Sequence, residues 1–336
     1  MSNKDTLEKV VRTTEIGAGG GGLLNPEQAN RFIDYMWDAT TLGSDVRRVR
    51  MNADTVDIDK VRVGERVARL ATEAVDDHEN AAVTFSKISL TTSKIRLDWE
   101  LTTEGLEDNI EGDDLEDHIA RLMATQLAND LEDLAINGDA DSSDPLLKSF
   151  DGWKKRVEAS GHVVDADGSL IERKFFNAAL KRLPRMYKQR RNQLRFYAGS
   201  NLVQDYLEEL SRNPNLEQIA TGIIQGSPHA PQSGVPGRVY AMAYGVPVYE
   251  VPLFDEAQTH TPDGGSEKQV GDIWLSFPQN LLWGVKREIK VYREFVPKKD
   301  TIEYTVYTRV GTQVENADAF VVVKNVAIDE DGTEFA

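Results

Sequence analysis

The sequence of 336 residues contains no cysteine, and this absence excludes several kinds of chemistry at once. Without thiols the chain cannot form a disulfide framework, a cysteine-ligated zinc site or an iron–sulfur cluster, and it has no thiol nucleophile. It also lacks any run of about 18 apolar residues, so no segment is predicted to span a membrane. Residues 1–15 lack the apolar centre of a secretory signal. We therefore expect a protein that is made and kept in a cytoplasm-like compartment.

Basic residues are outnumbered by acidic ones: the chain has 39 Lys and Arg and 56 Asp and Glu, which gives a formal charge of −17. This balance argues against a generalist nucleic-acid binder, which neutralises phosphates with a basic surface. The imbalance is also local. Residues 98–144 contain sixteen acids and one base, whereas residues 173–204 contain nine bases and no acid. Either these are two solvated faces, or they are complementary surfaces through which subunits dock.

Recognisable catalytic motifs are missing as well. The sequence has no nucleophile elbow, zincin, P-loop or kinase signature, and its five histidines are scattered without metal-ligand spacing. Two Asp-rich stretches, residues 137–144 and 165–168, resemble calcium loops but do not complete the spacing with a Glu at the twelfth position. Ordinary turn chemistry is the favoured interpretation of both stretches. We therefore expect no enzyme, no cofactor and no metal site.

A glycine run near the beginning of the chain matches the dinucleotide-binding pattern at Gly17, Gly19 and Gly22. That function requires a strand before the run and a helix at its last glycine, and neither is predicted here. Since glycine is tolerated poorly by regular elements, the run is interpreted as a flexible hinge.

A short amphipathic helix is predicted directly after this hinge. Asn25 is a suitable N-cap with Pro26 at the first helical position, and Phe32, Met36 and Trp37 then form one apolar stripe together with the neighbouring isoleucine. Such a helix at a chain end either docks on another subunit or packs on its own domain.

Residues 51–101 are predicted to be extended. Their β-branched residues surround an acidic stretch that contains Glu73, Asp76 and Asp77, which suits a hairpin tip. From residue 95 to residue 101 the alternation of apolar and charged side chains is strict, which predicts a half-buried antiparallel strand. A long protruding hairpin exposes strand edges, so we expect a neighbouring molecule to cover it.

The clearest predicted helix covers residues 113–136. Asp113 is a good N-cap, Glu116 completes a capping box, and Gly138 ends the helix. At 1.5 Å per residue it would be roughly 36 Å long. The apolar stripe predicted to bury it consists of Leu115, Ile119, Leu122, Leu127, Leu131 and Leu134.

The remaining elements are shorter. Helices are predicted at 173–186, with a kink or an end at Pro184, and at 202–210. Strands are predicted at residues 194–198, 239–243, 246–251, 273–277, 289–292, 302–309 and 319–323.

In this order of elements the sequence resembles the HK97-type major capsid proteins of tailed bacteriophages, the Caudoviricetes. The resemblance covers nearly the whole chain, although each motif alone is weak. The short stretches that contribute to it are residues 245–248, 271–274, 280–284, 309–312 and 317–323.

The resemblance implies an α+β protein with the HK97-like capsid fold, in which a long spine helix and an extended β-hairpin loop accompany an axial α/β domain. The implied parts are an N-terminal arm at 1–51, the extended loop at 52–97, a peripheral domain at 98–165 and 285–336 with spine helix 113–136, and an axial domain at 166–284.

The function that the resemblance implies is self-assembly into pentamers and hexamers of an icosahedral shell that encloses the phage double-stranded DNA. The virion would be assembled in the host cytoplasm. Excess negative charge would let the shell enclose the genome without tight or sequence-specific binding. The expected partners are further copies of the chain, a portal and a cement or decoration protein. Because only about fifty residues precede the hairpin, a separate scaffolding protein, or none, is expected in place of a cleaved N-terminal scaffolding segment.

Some members of this family cross-link their subunits through a Lys and an Asn near a buried Glu. Lys60 and Lys87 lie in the predicted loop, but residues 309–313 offer no acid, so no cross-link is expected. The residues proposed to form assembly interfaces are Phe32, Met36, Trp37, Glu73, Asp76, Asp77, Arg185, Arg190 and Arg191. Two alternatives stay open: an encapsulin-like nanocompartment shell and, in another class, an α+β hydrolase.

Overall fold

The computed structural model describes residues 21–23, 42–63, 83–104, 114–159, 162–212, 240–263, 265–286 and 290–329. The strands within these ranges are β1 (Gly21–Leu23), β2 (Arg47–Met51), β3 (Thr55–Val63), β4 (Val83–Thr91), β5 (Ser93–Thr102), β6 (Val163–Asp165), β7 (Arg195–Ala198), β8 (Tyr240–Ala243), β9 (Val246–Glu250), β10 (Gln258–His260), β11 (Lys268–Ser276), β12 (Leu281–Lys286), β13 (Lys290–Val296), β14 (Thr301–Val314) and β15 (Val321–Ala327). The helices are α1 (Asp114–Asn137), α2 (Trp153–Glu158), α3 (Arg173–Arg182), α4 (Arg185–Lys188) and α5 (Ser200–Arg212). None of the helices in this part of the chain combines the length and apolar composition needed to cross a bilayer.

The first sheet has six strands in the order β1-β13-β14-β12-β2, and β5 also pairs with β14. Strand β14 is 14 residues long and runs antiparallel to β5, β12 and β13. The strand predicted at 95–101 is confirmed as part of β5. Its Trp99 lies opposite Tyr304 of β14, and the two rings stack with centroids 5.0 Å apart, a favourable cross-strand pair.

The second sheet has seven strands in the order β6-β15-β11-β7-β9-β8, with β10 paired to β11. Successive side chains point to opposite faces, so Trp274 and its cross-strand partner Tyr197 share one face while Ile273 lies on the other. Both faces are buried, which explains why Val321–Val323 are apolar without alternation.

Two hydrophobic cores form on either side of the seven-stranded sheet. The first contains helix α1, one face of the six-stranded sheet and the Trp274 face of the seven-stranded sheet. At its centre Trp153 meets Trp283 edge to face at 5.9 Å and donates its indole N–H to the carbonyls of Leu282 and Gln313. The two rings bury large apolar area, worth roughly 2–3 kcal/mol each.

The second core covers the opposite face of the seven-stranded sheet with helices α3 and α5. Phe176 of α3 packs on Phe196 of β7 at 4.9 Å and on Tyr206 of α5 at 4.6 Å. The central α/β arrangement predicted from the sequence is therefore present, although α3 ends at Arg182, before Pro184, and not at residue 186.

Helix α1 confirms the predicted spine within one residue at each end, but one residue of the predicted stripe was wrong. Leu127, Leu131 and Leu134 are buried, whereas Leu122 is 57% exposed. Leu122 lies five residues before Leu127, which places it about 140° around the helix from the buried line. The side chain of Leu122 therefore faces away from the core.

The glycine run also differs from the expected hinge. Gly21 and Gly22 form strand β1 with Leu23 and pair antiparallel with Glu294–Tyr292 of β13. Strand pairing uses backbone groups, so missing side chains do not prevent it. Gly17, Gly19 and the predicted helix after Asn25 lie outside the described residues.

Two strands lie across the boundaries implied by the resemblance, and the boundaries themselves stay a prediction. Strand β5 begins at Ser93 and pairs with β14, so residues 93–97 belong to the six-stranded sheet. Strand β12 (Leu281–Lys286) crosses the expected boundary at 284, and β15 returns to the seven-stranded sheet between β6 and β11. The reason is burial, because β15 is apolar on both faces and needs a core on each side.

Candidate assembly surfaces

The structure describes three of the nine residues proposed for interfaces. Arg185, Arg190 and Arg191 are exposed on the segment between α3 and β7. The other six lie outside the described residues: Phe32, Met36, Trp37, Glu73, Asp76 and Asp77.

Strands β3 and β4 form a two-stranded ribbon of their own. They pair antiparallel from Thr55 opposite Thr91 to Val63 opposite Val83, and no other described strand pairs with either of them. Phe85 on this ribbon is 74% exposed. Two unpaired edges and an exposed aromatic ring are the features of a surface that a partner can cover.

The root of the ribbon is held to the six-stranded sheet by the carboxylate of Asp54. This carboxylate accepts a hydrogen bond from Lys286 Nζ at 2.9 Å and another from Arg309, and the two hydrogen bonds hold the pKa of Asp54 below its ordinary value. The carbonyl of Asp54 also accepts hydrogen bonds from the amide and hydroxyl of Thr92, at 2.9 and 3.1 Å. The ribbon thus leaves the sheet at a fixed point.

Close packing supports the same root. Met51 and Leu90 are fully buried there, and Gly284 and Gly311 leave room for the crossing chain. A Cβ atom added to Gly311 would lie 2.0 Å from the carbonyl oxygen of Thr91. Only glycine at position 311 therefore lets β14 approach the ribbon backbone so closely.

Further along the ribbon, Lys60 Nζ donates a hydrogen bond to Asn316 Oδ1 at 3.2 Å. Lys87 on β4 lies 3.9 Å from Asp59 on β3 in an exposed pair. The ribbon therefore also touches the segment after β14 through one of the two lysines considered for cross-linking. The expected absence of a cross-link stays a prediction.

A buried carboxylate that sequence reasoning missed anchors the chain before β2. Glu132 of α1 is 0% exposed, and its Oε1 accepts hydrogen bonds from the amides of Leu42 and Gly43. The segment that enters the six-stranded sheet is therefore fixed to the spine helix. In the sequence, Glu132 is one of the acids of residues 98–144, and its position next to Leu131 in the leucine stripe was the available signal.

In the first of the two stretches that resembled calcium loops, residues 137–144, acidic side chains pair with a lysine. Lys155 Nζ makes ion pairs with Asp139, with Asp141 at 2.7 Å and with Asp151 at 3.6 Å, and the hydrogen bonds that it donates to Asp139 and Asp141 raise its pKa. In the second such loop, Asp165 Oδ1 accepts a hydrogen bond from the backbone amide two residues later, which is ordinary turn chemistry. No group of three His, Asp or Glu side chains that could hold a metal ion occurs within the described ranges.

Three of the nine bases in residues 173–204 contact a carboxylate or an aromatic ring of the described chain. Arg195 pairs with Asp45 at 2.7 Å, and Lys174 pairs with Glu172 at 2.5 Å. The guanidinium of Arg173 lies 5.1 Å from the centre of the Tyr244 ring. These three contacts fix the segment to its surroundings.

The other six bases are exposed and make no ion pair with any carboxylate of the described chain. We call them the basic surface: Lys181, Arg182, Arg185, Lys188, Arg190 and Arg191. The acidic and basic stretches therefore do not neutralise each other within one described subunit.

A cavity of about 300 Å³ opens into this basic surface. Lys188 Nζ donates to the carbonyl of Lys181 at 2.9 Å, and Arg191 donates to the carbonyl of Tyr244, a residue with φ of 51°. The cavity is lined by Asn177, Leu180, Lys181, Lys188, Arg191, Leu194 and Tyr244. This lining contains no Ser, His, Asp or Glu, so it does not supply a Ser–His–Asp triad.

No family model matches the sequence. The chain is 29% identical over 334 residues to YqbE of Bacillus subtilis (strain 168), whose name gives it the provisional role of a prophage capsid protein, and the match covers 98% of this chain and 100% of YqbE.

Among solved structures, a chain of the satellite phage P4 procapsid has a TM-score of 0.60 at 15% identity, covering 89% of this chain and 99% of that one. A chain of the SrpI encapsulin complex from Synechococcus elongatus PCC 7942 has a TM-score of 0.55 at 14% identity, covering 85% of this chain and 86% of that one. These likenesses confirm the fold that the order of elements predicted.

Proposed function

We propose that this chain, a phage capsid protein with the HK97-type fold, assembles into the pentamers and hexamers of an icosahedral shell around the phage double-stranded DNA. The observation that carries the proposal is the end-to-end similarity to a prophage capsid protein, combined with a procapsid chain as a structural neighbour. Both relatives are structural proteins, which argues for a structural role of this chain over an enzymatic one.

The β3–β4 ribbon supports assembly through its geometry. Its root is fixed by Asp54 and by packing at Gly311, while its edges have no strand partner among the described residues. A rigid root with open edges lets the ribbon lie across a neighbouring subunit with little loss of conformational entropy on binding. We assign residues 1–51 as the arm, 52–97 as the extended loop, 98–165 and 285–336 as the peripheral domain and 166–284 as the axial domain. Strands β5 and β12 cross two of these boundaries, and β15 pairs with β6 and β11.

The charge of the chain is compatible with enclosing a genome. A net charge of −17 gives a shell that repels packaged DNA weakly, so that DNA can enter and leave without being held by the wall. In this proposal the shell forms in the host cytoplasm and becomes part of the virion. A portal, a separate scaffolding protein and a cement or decoration protein are the proposed partners.

An encapsulin-like compartment is the second candidate, since the SrpI encapsulin is also a structural neighbour. The same fold would then enclose protein cargo in place of a genome. The sequence relative is a prophage protein, which favours the phage shell. Nuclease protection separates the two functions: a phage particle protects double-stranded DNA, and a compartment holds protein and no protected DNA.

Electron microscopy of the purified full chain tests the proposal directly. Negative staining and light scattering should show closed angular shells or their pentamers and hexamers. Dissociated and reassembled material should give the same particles, because the information for assembly is in the chain and its partners. A stable monomer under all assembly conditions would contradict both shell functions and would favour the α+β hydrolase alternative.

A further inference from the structure

We propose that the cavity bordered by Lys181, Lys188 and Arg191 is a carboxylate-binding site. Its occupant is an Asp or Glu side chain from residues 98–144 of a second copy of this chain. The inference rests on the proposed function and names the surface through which neighbouring subunits recognise each other by charge.

The cations of the cavity are held in place by the backbone. Lys188 Nζ binds the carbonyl of Lys181 at 2.9 Å, and Arg191 binds the carbonyl of Tyr244. An ammonium group carries three donors and a guanidinium carries five, so each retains donors for a ligand after these contacts. Two cations that are already oriented bind an oxyanion with a smaller loss of side-chain entropy.

The size of the site suits a side chain. The cavity has a volume of about 300 Å³, and the apolar side chains of Leu180 and Leu194 line it beside the cations. A carboxylate on a short apolar stem therefore meets both parts of the lining. Arg182, Arg185 and Arg190 are exposed and adjoin the lining residues in sequence, so they add to the positive field of this segment.

No carboxylate of the described chain lines the cavity or makes an ion pair with its cations, so the proposed occupant comes from outside the described part of the same subunit. Several acids elsewhere in the chain have partners of their own. Asp45 is paired with Arg195, and Glu172 is paired with Lys174. Asp139 and Asp141 are paired with Lys155.

Residues 98–144 supply the complementary charge, with sixteen acids against one base. Glu104 in this stretch is exposed and makes no ion pair in the described structure. In a shell built from one kind of chain, every basic surface is accompanied by an acidic stretch of another copy. Opposite potentials then fix the register of the subunits and reject wrong contacts.

Nucleic acid is the competing occupant of a basic surface, and the charge of the chain argues against it. A protein with a net charge of −17 repels a polyanion at long range, whereas it has an excess of carboxylates to offer to its own copies. The same site would accept a phosphate group by the same hydrogen bonds, so the experiments below separate the two.

Zero-length cross-linking identifies the occupant. Shells are assembled from equal amounts of unlabelled and 15N-labelled chain, treated with a carbodiimide that joins amines to carboxylates in contact, and digested for mass spectrometry. We expect cross-links from Lys181 or Lys188 to an acid of residues 98–144, and some should join one labelled and one unlabelled peptide. Lys155 is the matched control, because its contacts with Asp139 and Asp141 should give cross-links within one chain.

The double variant Lys188→Glu/Arg191→Glu tests how much the carboxylate-binding site contributes to shell assembly. It places two acids against the incoming carboxylate, so assembly at low salt should slow roughly tenfold or more, while circular dichroism of the subunit stays unchanged. Lys298→Glu has the same kind of charge reversal at an exposed lysine outside the basic surface and should assemble like the wild type. Added salt should slow wild-type assembly more than assembly of the double variant.

Each other outcome overturns the proposal in a recognisable way. Shells whose Lys181 and Lys188 give only same-isotope cross-links, or none, exclude this contact but leave the proposed function intact. A wild-type chain that forms no shell and cross-links only within itself contradicts both. If inorganic phosphate raises the melting temperature of the subunit without affecting assembly, the cavity is a free-anion site. If the double variant assembles normally but loses DNA binding at physiological salt, the occupant is nucleic acid.

Discussion

The root of the β3–β4 ribbon and the basic surface both carry exposed charged groups, but only the charges of the root have partners of opposite sign within the described chain. At the root, the Asp54 carboxylate has two cations from other parts of the chain, Lys286 and Arg309. On the basic surface, six cations have no carboxylate partner in the described chain. We call the root the complete region, because its charges have partners within one subunit, and the basic surface the incomplete region, because its cations have no carboxylate partner there.

This difference separates contacts that serve folding from contacts left for a partner. Exposed ion pairs contribute little to stability, so the root depends mainly on the packing of Met51, Leu90 and Gly311. An uncompensated cluster of like charges costs free energy in a monomer and is useful when another molecule neutralises it. Changes in the complete region should therefore lower subunit stability, and changes in the incomplete one should lower assembly alone.

The largest effect is expected outside both regions, in the core below helix α1. Leu131→Asp places a charge in the core below helix α1, at a side chain that is 1% exposed, and should unfold the subunit or destabilise it by more than about 3 kcal/mol. Urea unfolding followed by tryptophan fluorescence measures this change. Leu122→Asp on the same helix is the control, since Leu122 is 57% exposed and should keep the wild-type midpoint. Equal losses in the two variants would show that α1 is buried on both sides.

An intermediate effect is expected at the root of the ribbon. Gly311→Ala brings a Cβ to within 2.0 Å of the Thr91 carbonyl, so backbone must move, and we expect a loss of about 1–3 kcal/mol. Hydrogen exchange should also become faster in β4. Gly284→Ala is milder, because its Cβ would meet the ends of the Met51 and Leu90 side chains, which can rearrange. A Gly311→Ala variant with wild-type stability and wild-type hydrogen exchange in β4 would mean that the ribbon does not pack against β14.

Much of the fold was predictable because periodic burial leaves a strong trace in the sequence. The alternation from 95 to 101 and the leucines of residues 127–134 identified β5 and α1 correctly. Leu122 was assigned to the buried line because it is apolar and near the right spacing. Its offset of five residues already placed it about 140° around the helix from Leu127. How wide the buried face of α1 is depends on the neighbours that the helix meets, and that information is tertiary.

The details of the candidate surfaces were less accessible from sequence. The basic stretch predicted either a solvated face or a docking surface, and Arg185, Arg190 and Arg191 are exposed, as both interpretations require. Their role in assembly stays a prediction. Only its position next to Leu131 set Glu132, which binds the amides of Leu42 and Gly43 before β2, apart from the other acids of its helix. Nor could spacing show that Lys155 would collect the acids of the calcium-like loop, because those contacts depend on the packing of α2.

The smallest effect is expected from the charge at the root. Asp54→Asn removes the charge that Lys286 and Arg309 share, while the amide oxygen can still accept a hydrogen bond, so the urea midpoint at neutral pH should fall less than in Gly311→Ala. The pKa of Asp54 is lowered in the folded chain, so its stabilising contribution is fully present above the unfolded pKa of about 3.9 and is lost as the pH falls through the lower folded value.

The difference between the wild type and Asp54→Asn should therefore shrink as urea unfolding is repeated at decreasing pH below about 3.9. Asp59→Asn is the matched control, because Asp59 is exposed and lies 3.9 Å from Lys87, and its midpoint should follow the wild type at every pH. A difference for Asp54→Asn that does not change with pH would mean that packing alone holds the root. In that case the ion pairs of Asp54 would form because the packing brings the charges together, and they would not determine where the ribbon leaves the sheet.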